Sequence, residues 1–391
     1  MHAFTFPGQG SQQPGMGAPW VDHPSWELVE EASEACGRDV AHLLVQADAE
    51  ELKATRNSQL TTFVLSMVVL DAVERTGVSP NVAAGHSLGE YSALTATGSI
   101  AYDDGVRLVA ERGEAMQLAA EEPDGTMAAI LGLDDDLVAT ACARVGMDVW
   151  VANYNAPGQV VIAGSPAGVE AAGQQAKVLG AKRAMALPVS GAFHTPFMAP
   201  ARDRLRKALD EIEFRDSSIP VVANVDALPH EAAGDWTALL AAQLCSPVRW
   251  RQTLYRLAED GVDTFVELGP GSVLTGMAKR TVKGSRAIAV GSPADVDALL
   301  AALAGEAHVG ALTSDGESLH VTERLVVSPA AGVFQLAEGL SAGAGVSVGQ
   351  IIGSVAGEDV VSPFDGALMG IMAHQGERVM PRQPIAWLRT G

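Results

Sequence analysis

The amino-acid sequence predicts an α/β protein whose main domain holds a buried parallel sheet, followed by a small all-β module. Three observations carry that reading. The apolar run Val82-Ala83-Ala84 enters the turn Gly85-His86-Ser87-Leu88-Gly89 and leaves it as a helical pattern. Between residues 125 and 190, apolar runs and helical patterns follow one another in the order β-α-β-β-α-β. Near the C-terminus, a short-strand pattern punctuated by glycine occurs twice.

Composition sets the bounds. A chain of 391 residues with 48% hydrophobic and 19% charged residues can fill more than one core, and its strands are apolar on both faces, as in a parallel sheet. The net charge of −21 counts against nucleic acid as a partner, because phosphate binding needs a basic face. Cys36, Cys142 and Cys245 are scattered without metal-ligand spacing. We expect no metal site, no disulfide framework and a reducing, cytoplasmic setting. The start, Met1-His2-Ala3-Phe4-Thr5-Phe6, is not a secretory signal, and no apolar run reaches the ~18 residues of a membrane span.

The elements follow in order. Ala3–Phe6 reads as the first strand and Pro7–Gln12 as its loop. Residues 26–73 carry helical patterns, 82–98 hold the turn and its helix, and Tyr102–Ala120 is a further helix. Residues 125–190 form the inserted unit. Its strands are expected at 127–131, 149–153, 159–163 and 183–189, its helices at 135–145 and 166–179; this is the split βαβ order of a ferredoxin-like α+β subdomain. After Gly191 come a helix over 199–212, buried strands at 221–223 and 264–268, and a last helix over 295–304. The α/β domain is thus assigned to 1–124 and 191–304, a linker to 305–319 and the β-module to 320–391.

That module is an internal repeat. Val326-Val327-Ser328-Pro329 recurs as Val360-Val361-Ser362-Pro363, Gly332 matches Gly366, and Val346, Gln350 and Ile352 match Val379, Gln383 and Ile385. Two such copies suggest a pseudo-symmetric barrel.

A serine between two glycines on a sharp strand-to-helix turn is a nucleophile elbow, the turn of hydrolase-like α/β folds. The geometry lifts the Ser87 hydroxyl clear of the sheet and turns the Leu88 N–H toward an attacked carbonyl oxygen. An aliphatic hydroxyl needs a neighbouring base. No Asp or Glu follows Ser87 at an obvious triad position. His194 lies in a loop punctuated by Gly191 and Pro196, the usual place for catalytic side chains. His86 is closer in sequence, but its place on the turn points it away from the hydroxyl.

Six segments in order complete the picture: Phe6-Pro7-Gly8-Gln9-Gly10-Ser11-Gln12, Gly85–Ala93, Arg112-Gly113, Asn153–Gln159, Gly191-Ala192-Phe193-His194 and Glu267-Leu268-Gly269-Pro270-Gly271. Over residues 3–303 the chain resembles the malonyl-CoA:acyl-carrier-protein transacylase family, including the acyltransferase domains of fatty-acid and polyketide synthases. The resemblance implies a ping-pong transfer of malonyl from malonyl-CoA, through malonyl-Ser87, to the phosphopantetheine thiol of an acyl carrier protein. It makes Ser87 the nucleophile and His194 the base. It makes the Gln9 and Leu88 amides the oxyanion donors, and Gln243 the position that orients the imidazole. Arg112 would grip the malonyl carboxylate as a bidentate pair, which lysine could not do, with Phe193, His86 and Asn155 beside it at the substrate. Leu88 and Phe193 fit malonyl over methylmalonyl, whereas Gly191 stands where many polyketide malonyl domains have His. Carrier proteins are acidic, so Lys279, Arg280, Lys283 and Arg286 are candidates for docking; as a plain alternative they are a solvated helix face.

The repeat resembles biotinyl/lipoyl carrier domains, which are barrel-sandwich hybrids with a cofactor-bearing lysine at a hairpin tip. The matching hairpin, Ser354–Asp359, has no lysine, and none occurs after Lys283. No biotin or lipoate is expected, nor any other cofactor, and the barrel is read as an element that packs on the transferase or binds another protein. Three other functions remain open on the sequence: an acyltransferase for another acyl unit, an acyl hydrolase using the same elbow, and a scaffold with a vestigial transferase.

Overall fold

The computed structural model describes residues 1–121, 124–189, 191–309, 323–337, 339–341, 343–373, 375–376, 378–379 and 383–389. Two units are compact, Met1–Ala307 and His308–Gly391.

In the first unit the chain begins with strand β1 (His2–Phe6). The short helices α1 (Glu27–Cys36), α2 (Val40–Val45) and α3 (Ala49–Lys53) follow, then the long α4 (Thr55–Glu74). Helix α4 is buried almost throughout, including Ser58, Gln59, Thr61 and Thr62. An all-round buried helix has no amphipathic stripe, which is why the sequence shows only a diffuse helical texture there. Strand β2 (Val82–Gly85), α5 (Gly89–Ala96) and α6 (Tyr102–Ala119) complete the first half.

The inserted segment runs β3 (Thr126–Leu131), α7 (Asp135–Val145), β4 (Val149–Ala156), β5 (Gln159–Gly164), α8 (Pro166–Val178), β6 (Arg183–Ala186). Its strands form an antiparallel sheet in the order β4-β5-β3-β6. Ile130, Val138, Val151, Val160, Ile162 and Val169 are among the residues of its separate core. The last strand is shorter than the expected 183–189. Leu187 N–H still bonds Met127 O, but Pro188 has no N–H to extend the ladder.

The chain then returns through α9 (Ala199–Leu209), β7 (Val221–Val222), β8 (Pro229–His230), α10 (Trp236–Gln243), α11 (Trp250–Glu259), β9 (Thr264–Leu268), α12 (Val273–Thr281), β10 (Arg286–Val290) and α13 (Pro293–Val309). The main sheet has the order β10-β9-β1-β2-β7-β8, parallel except for the β7–β8 pair. Phe6 pairs with Gly85 and Ala84 with Val222. The loops that follow β1, β2 and β7 therefore leave one edge of the sheet together, the edge where open α/β sheets bind ligands.

Helix α13 corrects the sequence reading. It runs on to Val309, into the stretch assigned to a linker. A single Gly305 costs a helix only about 1 kcal/mol, and Glu306-Ala307-His308 does not stop it. Residues 310–319 of that assignment lie outside the described residues.

The second unit contains β11 (Glu323–Val327), β12 (Gly332–Leu336), β13 (Gly345–Val346), β14 (Ile351–Val355), β15 (Glu358–Val361), β16 (Gly366–Ile371), β17 (Arg378–Val379) and β18 (Pro384–Arg389). They form two antiparallel sheets, β11-β18-β16-β13 and β15-β14-β12-β17. Exchanging the repeat halves, β11–β14 for β15–β18, turns each sheet into the other. The exchange extends to single hydrogen bonds. Ser328 Oγ donates to Ala330 O and Ser362 Oγ to Phe364 O, both at 2.7 Å, while Ser328 N–H bonds Gln383 O and Ser362 N–H bonds Gln350 O.

Candidate active site

The turn after β2 is built by two glycines that face each other. A Cβ on Gly85 would stand 1.8 Å from the Gly89 carbonyl, and one on Gly89 would stand 2.0 Å from Phe6 O. No side chain fits at either place, so the chain can double back within four residues. Ser87 at its apex has φ 53°, in the left-handed region that non-glycine residues rarely occupy. Strain of that kind persists only where the surroundings impose it. Here Asn224 does so: its Oδ1 accepts from Ser87 N–H at 2.7 Å and its Nδ2 donates to Gly85 O at 2.7 Å.

The Ser87 hydroxyl lies 2.8 Å from His194 Nε2. The other ring nitrogen, Nδ1, is 2.9 Å from Gln243 O. A carbonyl only accepts, so Nδ1 carries the proton and Nε2 presents its lone pair to the hydroxyl. His194 also has a positive φ, 61°. Burial pushes its pKa down to about 3, with the Arg112 charge adding to the effect and the Gln243 carbonyl opposing it. The imidazole is neutral over the physiological range and ready to take a proton.

Arg112, from α6, is 1% exposed. Its Nη1 donates to Gln59 Oε1 at 2.5 Å; its Nη2 donates to Gln243 Oε1 at 2.9 Å and to Ser87 Oγ at 3.1 Å. The guanidinium stands 5.2 Å from the Tyr91 ring centroid. Burial lowers its pKa, but arginine stays charged. A fixed cation thus sits beside the Ser87 hydroxyl, a setting that suits an anionic group.

Gln9, His86, Ser87, Asn155, Phe193 and His194 line one cavity of about 280 Å³, with Val273, Leu274 and Met277 of α12 on its wall. His86 points to β4, its Nε2 2.9 Å from Asn155 Oδ1, and packs edge-on against Trp250. Leu88 is the N-cap residue of α5, where the first amides have no intrahelical acceptor. Phe193 is 6% exposed, and a Cβ on Gly191 would meet its ring at 2.9 Å. The glycine therefore gives the ring its place.

The basic cluster is not one helix face. Lys279 and Arg280 end α12, Lys283 lies beyond it, and Arg286 opens β10 and donates to Ala302 O. Helix α12 stops at Thr281 because Val282 turns extended. All four side chains are exposed. Arg280 donates at 2.9 Å to Gln159 Oε1 on the cavity wall.

Three residues entered the site without being singled out by sequence: Asn224, Gln59 and Glu90. Asn224 follows a parallel strand at its C-terminal end, a position that could have marked it. Gln59 sits in the diffuse helix α4. Glu90 lies in the quoted elbow segment and is fully buried, its Oε1 accepting from Asn224 N–H at 2.8 Å and its Oε2 from Gln243 Nε2.

Residues 3–315 match the family described as Acyl transferase domain. The malonyl CoA-acyl carrier protein transacylase of Bacillus subtilis (strain 168) is 41% identical over 309 residues, covering 78% of this chain and 98% of that protein. The malonyl CoA-acyl carrier protein transacylase of Escherichia coli (strain K12) is 45% identical over 306 residues, 76% of this chain and 98% of the relative. Among solved structures, a type II polyketide synthase acyl-carrier protein in complex with its malonyl-transacylase superposes with a TM-score of 0.75 at 42% identity, covering 77% of this chain and 99% of the other.

Proposed function

The chain belongs to the acyl transferase family and is an acyltransferase that moves malonyl from malonyl-CoA to an acyl carrier protein; from that premise we propose how its residues do so. One observation carries the reading: a single hydroxyl, Ser87 Oγ, lies within hydrogen-bond reach of both a neutral imidazole and a fixed guanidinium.

Ser87 attacks the thioester carbonyl as His194 Nε2 takes its proton. The Leu88 and Gln9 amides receive the oxyanion; one such donor is typically worth about 3 kcal/mol in the transition state. The C–S bond breaks, His194 returns the proton to the departing CoA sulfur, and malonyl-Ser87 remains with its carboxylate on Arg112. The carrier's phosphopantetheine thiol then gives its proton to His194 and attacks, and the Ser87 oxygen leaves with that proton. Gln243 O holds the imidazole through both halves, the role an acidic residue plays in a triad.

We assign His86 and Asn155 to the wall of the acyl chamber and Phe193 to the exclusion of a C2 substituent. We assign Lys279, Arg280, Lys283 and Arg286 to the acidic carrier; the Arg280–Gln159 contact at the cavity wall supports this. We read residues 1–124 and 191–304 as a hydrolase-like α/β domain and 125–190 as a ferredoxin-like subdomain. We read the C-terminal unit as a biotinyl/lipoyl-like barrel that has lost its acceptor, since its β14–β15 tip is Ala356-Gly357. The absence of any lysine beyond Lys283 excludes amide attachment of biotin or lipoate there. Three free thiols support a cytoplasmic setting, and no helix among the described residues is long and apolar enough to cross a membrane.

The test is a two-stage labelling. Malonyl-CoA should add one malonyl group to the Ser87 peptide, and the label should leave on addition of holo carrier protein and appear on the carrier. Loss of the label to water at the same rate with or without carrier would mark a hydrolase instead.

A further inference from the structure

We propose that Glu90 is a positioning residue for acyl transfer: its buried carboxylate holds in register the Asn224 that shapes the Ser87 turn and the Gln243 that carries both His194 and Arg112. The inference rests on the reading of Ser87 and His194 as the acyl-transfer pair.

Glu90 sits in the first turn of α5, where the helix dipole favours an anion. It does not line the cavity that Ser87 and His194 share, so its part is played through neighbours. Each oxygen meets a donor: Oε1 the backbone N–H of Asn224 at 2.8 Å, Oε2 the side-chain amide of Gln243. Neither partner can accept through those atoms. The ionised carboxylate is the stronger acceptor for both; a proton on either oxygen would weaken the hydrogen bond that oxygen accepts.

The same contact fixes which way the Gln243 amide faces. Its Nε2 donates to Glu90 and, at 2.8 Å, to Ser87 O, while its Oε1 accepts from Arg112. A flipped amide would set oxygen against carboxylate and N–H against guanidinium. The main chain of this residue holds His194 Nδ1. On the other side, Asn224 passes the constraint to Ser87 N–H and Gly85 O. One anion thereby braces the nucleophile from one side and the base and clamp from the other.

The charged and titratable groups around Glu90 are Arg112 of α6, Tyr91 of its own helix and Asp226 of the β7–β8 connection. Burial pushes its pKa up to about 7, against the pull of Asn224, Gln243 and Arg112. His194 is displaced the opposite way. An acid limb close to neutral pH is therefore expected from Glu90 rather than from the imidazole.

The experiment follows Ser87 labelling by malonyl-CoA, read by rapid quench and intact mass, across the pH range for wild type and Glu90→Gln, with thermal unfolding of both. The wild type should lose rate as pH falls through about 7. Glu90→Gln should label about ten- to a hundredfold more slowly at mildly alkaline pH, with KM for malonyl-CoA nearly unchanged and the acid limb gone. Labelling of the variant at the wild-type rate overturns the inference, as does a wild-type rate that stays flat through neutrality. A variant that does not fold leaves the wild-type limb to decide. A wild type that never labels at Ser87 overturns the acyl-transfer reading itself; a labelled wild type with a flat profile overturns only the role of Glu90.

Discussion

Arg112 Nη2 and Ser87 Oγ stand 3.1 Å apart, and the guanidinium is held there by Gln59 and Gln243 rather than by an acidic side chain in direct contact. Neutral acceptors position the cation without consuming its charge. Its charge is thereby left available to an anion.

Arg112→Ala should cut kcat/KM for malonyl-CoA by about a hundredfold or more, the order of a buried charge pair losing one member. Acetyl-CoA, which brings no carboxylate, should lose far less. Steady-state rates with both thioesters check this; equal losses would remove the clamp from the mechanism. Arg112→Lys should recover only part of the malonyl activity, since the fork to Gln59 and Gln243 is lost.

The buried His194 ties stability to pH. Its folded pKa, pushed down to about 3, lies below the ordinary value of 6.5. The unfolded chain therefore binds the extra proton between those values. The stabilising effect of the neutral imidazole is complete above about pH 6.5 and fades as the pH drops toward the folded value. His194→Gln should show a shallower fall in Tm than the wild type over that interval. A parallel fall in both proteins would refute the assignment.

Phe193 lines the cavity that Ser87 and His194 share, and Gly191 leaves room for its ring. Phe193→Ser should raise the methylmalonyl-to-malonyl ratio of kcat/KM about tenfold, the usual worth of one methyl group's fit. Competition between the two CoA esters for Ser87 labelling would measure it.

Reversing Lys279 and Arg280 to Glu should raise the KM for carrier protein severalfold and leave the KM for malonyl-CoA alone. The effect should shrink as salt is added, because exposed charges are screened. A carrier KM that does not move would send the docking surface elsewhere.

The two serines of the repeat make equivalent bonds at 1% and 0% exposure. Ser328→Ala and Ser362→Ala should each destabilise the C-terminal unit by about 1 kcal/mol, the net worth of a typical hydrogen bond. Chemical denaturation of each variant tests the equivalence.

What the sequence made legible was local or periodic. Gly85 and Gly89 constrain each other across four residues, so the elbow can be read from a pentapeptide. The Ser-Pro repeat can be read because each copy spells out the same turn. Asn224 and Glu90 could not be read that way. One looks like a loop residue and the other like an ordinary acid in a helix's first turn; their pairing arises from β2 and β7 lying side by side. Gln59 was hidden by a helix buried on every side. The plain alternative of a solvated helix face for the four basic residues fails for a local reason: the helix ends at Thr281, and Arg286 opens a strand.

The C-terminal sheets each take strands from both repeats, and only the Ala356-Gly357 turn joins one repeat to the other. Neither half can complete a core alone, yet two copies of one half would supply every strand position. The two halves are interlocked strand by strand, and a cut at that single turn should leave the two fragments clasped.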